Sequence, residues 1–139
     1  MKKRLLIALS ALLILAAIPA RAGMDMLNIR LVKLTGNGTV TPGLENVAAI
    51  IQRNLPYAGC VLVEQHSCVL PAKATIAFSS GYSVICTSRE DSLAFTILKK
   101  KKLLVSTAVT FKDDTPVIIG GFDGGTAGTK YVFVLMKGG

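Results

Sequence analysis

The chain contains no tryptophan, a single histidine (His66) and only three cysteines, and charged residues make up 17% of it. Each scarcity closes off a class of function. One histidine cannot build a His-rich metal centre, and no cysteine or carboxylate stands at a zinc-like spacing from it, so no metal is expected. No Gly-x-Ser-x-Gly elbow surrounds any serine. The glycine-rich segment from Gly120 to Lys130 lacks Walker spacing, because Thr129 separates Gly128 from Lys130, and it leads into a strand rather than a helix. No cofactor is expected. The carboxylates fall mainly at turns, where solvated acids sit. A dyad of Cys60 or Cys68 with His66 has strained geometry, since His66 and Cys68 stand next-but-one on one strand. The chain reads as a non-enzyme with no catalytic residues. The low charge content also argues against a coiled coil, and the 13 glycines follow no collagen period.

What is abundant is apolar: 51% of residues are hydrophobic, which excludes a disordered chain. Part of that excess is a leader. Lys2-Lys3-Arg4, an apolar run from Leu5 to Ile18 and then Pro19-Ala20-Arg21-Ala22-Gly23 form the pattern of a secretory signal peptide over residues 1–22. The run is shorter than the roughly 18 to 20 residues of a spanning helix, and no cysteine follows the cleavage site to take a lipid. The expectation is export, to the periplasm or an outer-membrane-associated location. Cleavage removes four basic residues and no acidic one, taking the net charge from +8 to +4. Residues 23–139 then form one exported domain, long enough to bury roughly two thirds of its unfolded surface.

Leu27, Ile29 and Leu31 alternate with Asn28 and Arg30, the period of a half-buried strand, and Gly36-Asn37-Gly38 breaks it. Thr41-Pro42 reads as an N-cap followed by a first helical residue. Leu44, Val47, Ala48, Ile51 and Leu55 then lie on one helical face, and Pro56 ends the helix. Beyond Tyr57 the period becomes that of strands separated by short turns: 59–70, 74–78, 82–87, 92–98, 103–111, 117–119 and 131–136. Such connections leave no room for crossover helices, so neighbours run antiparallel. The fold class expected is α+β, one N-terminal helix packed on a mostly antiparallel sheet or sandwich of about seven strands. Val117 to Ile119 and Tyr131 to Met136 are apolar on both faces, which requires cover from the helix on one side and from a second sheet or a partner on the other.

Three features remain as candidates. Lys99-Lys100-Lys101-Lys102 joins two apolar strands, and as a hairpin tip it gathers four positive charges suited to phosphates or anionic head groups. A solvated tip that blocks edge pairing is the plainer use of the same residues. No aromatic is interleaved to stack on bases, and with export this excludes nucleic acid as a partner. Gly120, Gly121, Phe122, Gly124 and Gly125 lie in a loop whose glycines admit positive φ. Among the cysteines, Cys60 and Cys68 are roughly 26 Å apart if 59–70 is one strand, too far to bond. Cys68 with Cys86 across paired strands is the disulfide to expect, leaving Cys60 buried and reduced; three small buried hydrophobes is the equal alternative.

The segment Val105-Ser106-Thr107-Ala108-Val109-Thr110-Phe111-Lys112-Asp113-Asp114-Thr115-Pro116-Val117-Ile118-Ile119-Gly120-Gly121-Phe122 resembles the core-domain hairpin motif of the secretins, which build ring-shaped outer-membrane channels. Asp113 and Gly120-Gly121 match that motif's spacing, while Asp114 stands where it has a turn glycine and the Pro-rich closing motif is absent. The resemblance implies a component of an envelope assembly rather than a complete secretin. The function expected is a non-enzymatic periplasmic or envelope protein acting through contacts with envelope proteins or itself. The alternative is a soluble exported binding module that uses the Lys99–Lys102 tip for an anionic ligand or lipid surface.

Overall fold

A computed structural model describes residues 25–111 and 115–138; the leader expected at residues 1–22 and the turn expected at residues 112–114 lie outside them. The chain runs β1 (Asp25–Thr35), α1 (Glu45–Asn54), β2 (Gly59–Leu70), β3 (Lys73–Ala77), β4 (Tyr82–Ser88), β5 (Leu93–Lys99), β6 (Lys102–Val109), β7 (Val117–Asp123) and β8 (Lys130–Gly138). These strands form two four-stranded sheets of order β2-β1-β8-β7 and β3-β4-β5-β6. Every ladder within them is antiparallel, as the short connections require. Among the described residues the strands number eight rather than about seven, and the helix is not N-terminal, because β1 precedes it.

Alternation builds three layers. Leu27, Ile29 and Leu31 of β1 and Phe133 and Leu135 of β8 point to one side. There they pack on Tyr82, Val84, Cys86, Phe95 and Ile97 of the second sheet. Val32, Leu34, Val132 and Val134 point to the other side and pack on Leu44, Val47, Ala48 and Ile51 of the helical segment. The apolar run of β8 is therefore covered on both faces, by a sheet and by a helix. Where the helix stops, the outer face turns polar: Asn28 accepts a hydrogen bond from Ser67 Oγ at 2.6 Å, and Arg30 donates to Gln65 at 3.2 Å.

Strand β2 changes sides within its length. Leu31 pairs with Glu64 and Val32 with Leu62, so Val63 is an unpaired bulge residue. Cys60 and Leu62 consequently lie under the helix, while Cys68 and Leu70 lie in the inter-sheet core.

The helix starts later than the Thr-Pro signal suggests. Thr41 is no N-cap: its Oγ1 accepts from the Leu62 amide at 2.9 Å, tying the preceding turn to β2. Leu44 occupies the cap position without a side-chain bond, and the Glu45 carboxylate reaches back to accept from the Gly43 amide at 2.9 Å. Leu55 is 45% exposed rather than core, because the backbone is already extended there. Strands β6 and β7, which carry the secretin-like segment, belong to different sheets and do not pair as a hairpin. Among the described residues, no helix is long and apolar enough to cross a membrane.

Candidate functional site

In antiparallel sheets alternate turns share an end. The β3–β4 turn, the β5–β6 turn and the β7–β8 loop meet in this way. The Lys100 amide donates to the Gly81 carbonyl at 3.1 Å, joining the first two. Between them and β7–β8 lies a cavity of about 460 Å³, lined by Tyr82, Lys99, Leu104, Phe122, Asp123, Gly124, Gly125 and Tyr131. Two segments that are 25 or so positions apart in the sequence, the lysine tip and the glycine loop, thus contribute to one site.

Lys99 Nζ sits 4.2 Å from the centroid of the Tyr82 ring and 6.0 Å from that of Tyr131. A cation held over an aromatic face is attracted by the ring quadrupole, so this ammonium is fixed at the cavity wall. Tyr82 and Phe122 stand 5.9 Å apart and complete an aromatic floor. Burial pushes the Tyr82 phenol above its ordinary pKa, with Tyr131 and Asp123 adding to the effect, so it remains a neutral hydrogen-bonding group at physiological pH.

The tip itself is strained. Lys100 and Lys101 both have left-handed backbones, φ 50° and 70°, the conformation that two-residue hairpin turns reserve for Asn-Gly. Lys99 and Lys102 lie directly opposite each other, a like-charge cross-strand pair that destabilises a ladder. Among the described residues none of the four lysines has a carboxylate at ion-pair distance.

The glycines serve two ends. Gly120 and Gly121 belong to β7, which runs past Ile119, and they form a bulge there. A Cβ on Gly120 would stand 2.8 Å from the Tyr131 carbonyl oxygen, and its φ of +145° suits glycine alone. Both glycines are exposed on the edge strand and outside the cavity lining. Gly124 is buried against Thr129, leaving no room for a side chain, while Gly125 donates its amide to Asp123 at 3.0 Å. Of the residues singled out in the sequence, Lys99, Phe122, Gly124 and Gly125 converge, and Lys100, Lys101 and Lys102 flank them. Tyr82, Leu104, Asp123 and Tyr131 were not anticipated. The signal for the tyrosines was positional, since Tyr82 opens β4 and Tyr131 is the second residue of β8, each directly after a turn at this end.

Elsewhere, His66 Nε2 meets Glu64 Oε2 at 2.6 Å, and the Ser79 amide donates to the other Glu64 oxygen at 2.9 Å. The His66 bond holds the Glu64 carboxyl below its ordinary pKa against a desolvation effect in the opposite sense, with Ser79 assisting. The His66 ring abuts Phe78 edge-on at 4.7 Å. The three cysteines are free thiols. Cys68 and Cys86 do not lie on paired strands, because β2 and β4 belong to opposing sheets; they enter the same core from its two sides. Burial pushes the Cys86 thiol up to about 12, with the neighbouring Cys68 contributing, and burial also raises Cys60 and Cys68. Such thiols are poor nucleophiles. No group of three His, Cys, Asp or Glu side chains among the described residues could hold a metal ion.

The chain matches no family model, no curated protein and no solved structure.

Proposed function

We propose that this protein is an exported, non-catalytic binding module of the cell envelope whose ligand carries an anionic group, taken up at the cavity between the lysine tip and the glycine loop. The observation that carries this reading is the position of Lys99. Its ammonium is held over Tyr82 at the wall of a cavity of about 460 Å³, within the size of small-molecule sites, with three more lysines beside it and no carboxylate in ion-pair contact. Burial raises all three thiols, which weakens them as nucleophiles and is consistent with a binding role.

Tyrosine emission tests it directly. The chain has no tryptophan and three tyrosines, and two of the three line the cavity. Titration with tripolyphosphate should change that emission saturably. The response should weaken steeply with added salt and fall about tenfold in apparent affinity in Lys99→Ser. An affinity equal in the wild type and in Lys99→Ser would remove the reading.

A second reading, assembly with envelope proteins or with further copies in a secretin-like arrangement, draws support from the sheet edges. Strand β6 exposes most of its length, and β7 presents Gly120 and Gly121 at the other edge, so both offer backbone for strand addition. A native mass well above that of one chain in mild detergent, insensitive to salt, would favour this reading over the first.

A further inference from the structure

The β5–β6 hairpin carries more than charge. Leu103 is 59% exposed and Leu104 36% exposed, directly after the lysine run. Their exposure follows from the ladder: Leu98 pairs with Leu103 and Ile97 with Val105, so Leu104 is an extra residue and the edge strand bulges there. Leu103 lies beside half-buried Leu98 on the face of the second sheet that no helix covers among the described residues. Four lysines and two exposed leucines therefore occupy six consecutive positions at one corner of the molecule. Two of those lysines adopt left-handed backbones, and two face each other with like charge. Both arrangements cost stability; Lys99 is held over Tyr82, but among the described residues no carboxylate pairs with any of the four lysines. An anionic surface would relieve the repulsion, and an apolar layer beneath it would take the leucines.

Resting on the reading of the tip as an anion site, the geometry points to a membrane surface rich in anionic phospholipid as the partner of this hairpin, with Lys100 to Lys102 at the head-group phosphates and Leu103 and Leu104 in the interfacial layer. Lysines near such a surface each contribute about fivefold in affinity, and exposed apolar side chains add burial that salt does not screen. The leucines distinguish this partner from a soluble anion, which needs the charge alone.

Vesicle co-sedimentation of the purified protein tests it, comparing vesicles of equal parts phosphatidylglycerol and phosphatidylcholine with phosphatidylcholine alone. Three proteins with the same N-terminus are compared: wild type, Lys100→Asn with Lys101→Gly, and Leu103→Ser with Leu104→Ser. The first variant suits the turn's backbone, so it retains the fold while losing two charges. Expected are preference for the anionic vesicles, a loss of about 30-fold in the lysine variant, and a further residue of binding at high salt that disappears in the leucine variant. Equal binding to both vesicle types, or unchanged binding in the lysine variant, overturns the proposal. So does binding that the leucine variant leaves intact at every salt concentration. If tripolyphosphate shifts tyrosine emission while the protein ignores anionic vesicles, membrane docking fails and the cavity reading stands. If neither binds, both fall.

Discussion

Glu64 shows how a single side chain acquires two roles from its place on a strand. Its carboxylate takes the His66 hydrogen bond with one oxygen and the Ser79 amide with the other, and so links the β2 edge to the β3–β4 turn. The bonds favour the ionised form, which is why its pKa is lowered. A group whose folded pKa lies below its unfolded value contributes stability above the unfolded value and loses it as the pH falls through the folded one. The Glu64 contribution is therefore complete at neutral pH and disappears on acidification from about the ordinary glutamate range downward. The pair is partly solvated, so the effect stays below about 1 kcal/mol. In thermal melts Glu64→Gln should lower the midpoint by a few degrees at neutral pH, and the two melting curves should converge as the pH falls below the ordinary glutamate range. A difference that persists at acid pH would show that Glu64 acts through shape rather than charge. The sequence places His66 beside a polar neighbour on a strand face. It does not show that Ser79, fifteen positions away, would complete the arrangement.

At the scale of elements, the β5–β6 hairpin sets local backbone preference against content. A two-residue turn matched to the right-handed strand twist needs positive φ at both positions, and Lys100 and Lys101 adopt it despite their side chains. Replacing them with Asn and Gly removes that strain and two like charges together. Relief of the left-handed backbone gives an expected gain in unfolding free energy of about 1 to 2 kcal/mol, read as a higher midpoint in urea at unchanged slope. A loss of stability would mean that the lysine side chains pack usefully against Gly81. The lysine run was legible as a hairpin tip from its place between two apolar strands. The helix was legible through Leu44, Val47, Ala48 and Ile51, which do form its buried face. Its start was misread because Thr41 had a stronger use for its hydroxyl in the Leu62 amide. Leu55 fits the helical period but falls just after the chain has turned away. Periodicity reports which residues can share a face, and only the packing shows where the face ends.

Across the whole molecule, antiparallel pairing and the cover on both faces of β8 followed from composition and turn spacing. The sequence left one sheet and a sandwich both open, and did not show which strands divide into which sheet. The sequence marks both the link from β2 to β3, which changes sheet, and the link between β3 and β4, which does not, simply as short turns. The cavity shared that fate, because it exists only where turns from both sheets meet. Phe133 of β8 lies in the core that joins the sheets. Its ring stands 5.3 Å from Phe78, 5.4 Å from Tyr82, 6.4 Å from Phe95 and 6.3 Å from Phe122. Edge-to-face contacts of this kind add to the area buried, and the side chain is fully enclosed. Phe133→Ala should therefore cost about 3 to 5 kcal/mol in denaturant unfolding, a large share of the stability of a domain this size. Phe133→Leu keeps most of the volume and should cost much less. Tyr82 and Phe122 both lean on this ring and both line the cavity. The Leu variant, still folded, should therefore lose affinity for tripolyphosphate although no charge has changed. Unaltered binding in that variant would show that the lysines act alone at the surface and that the aromatic floor is only core.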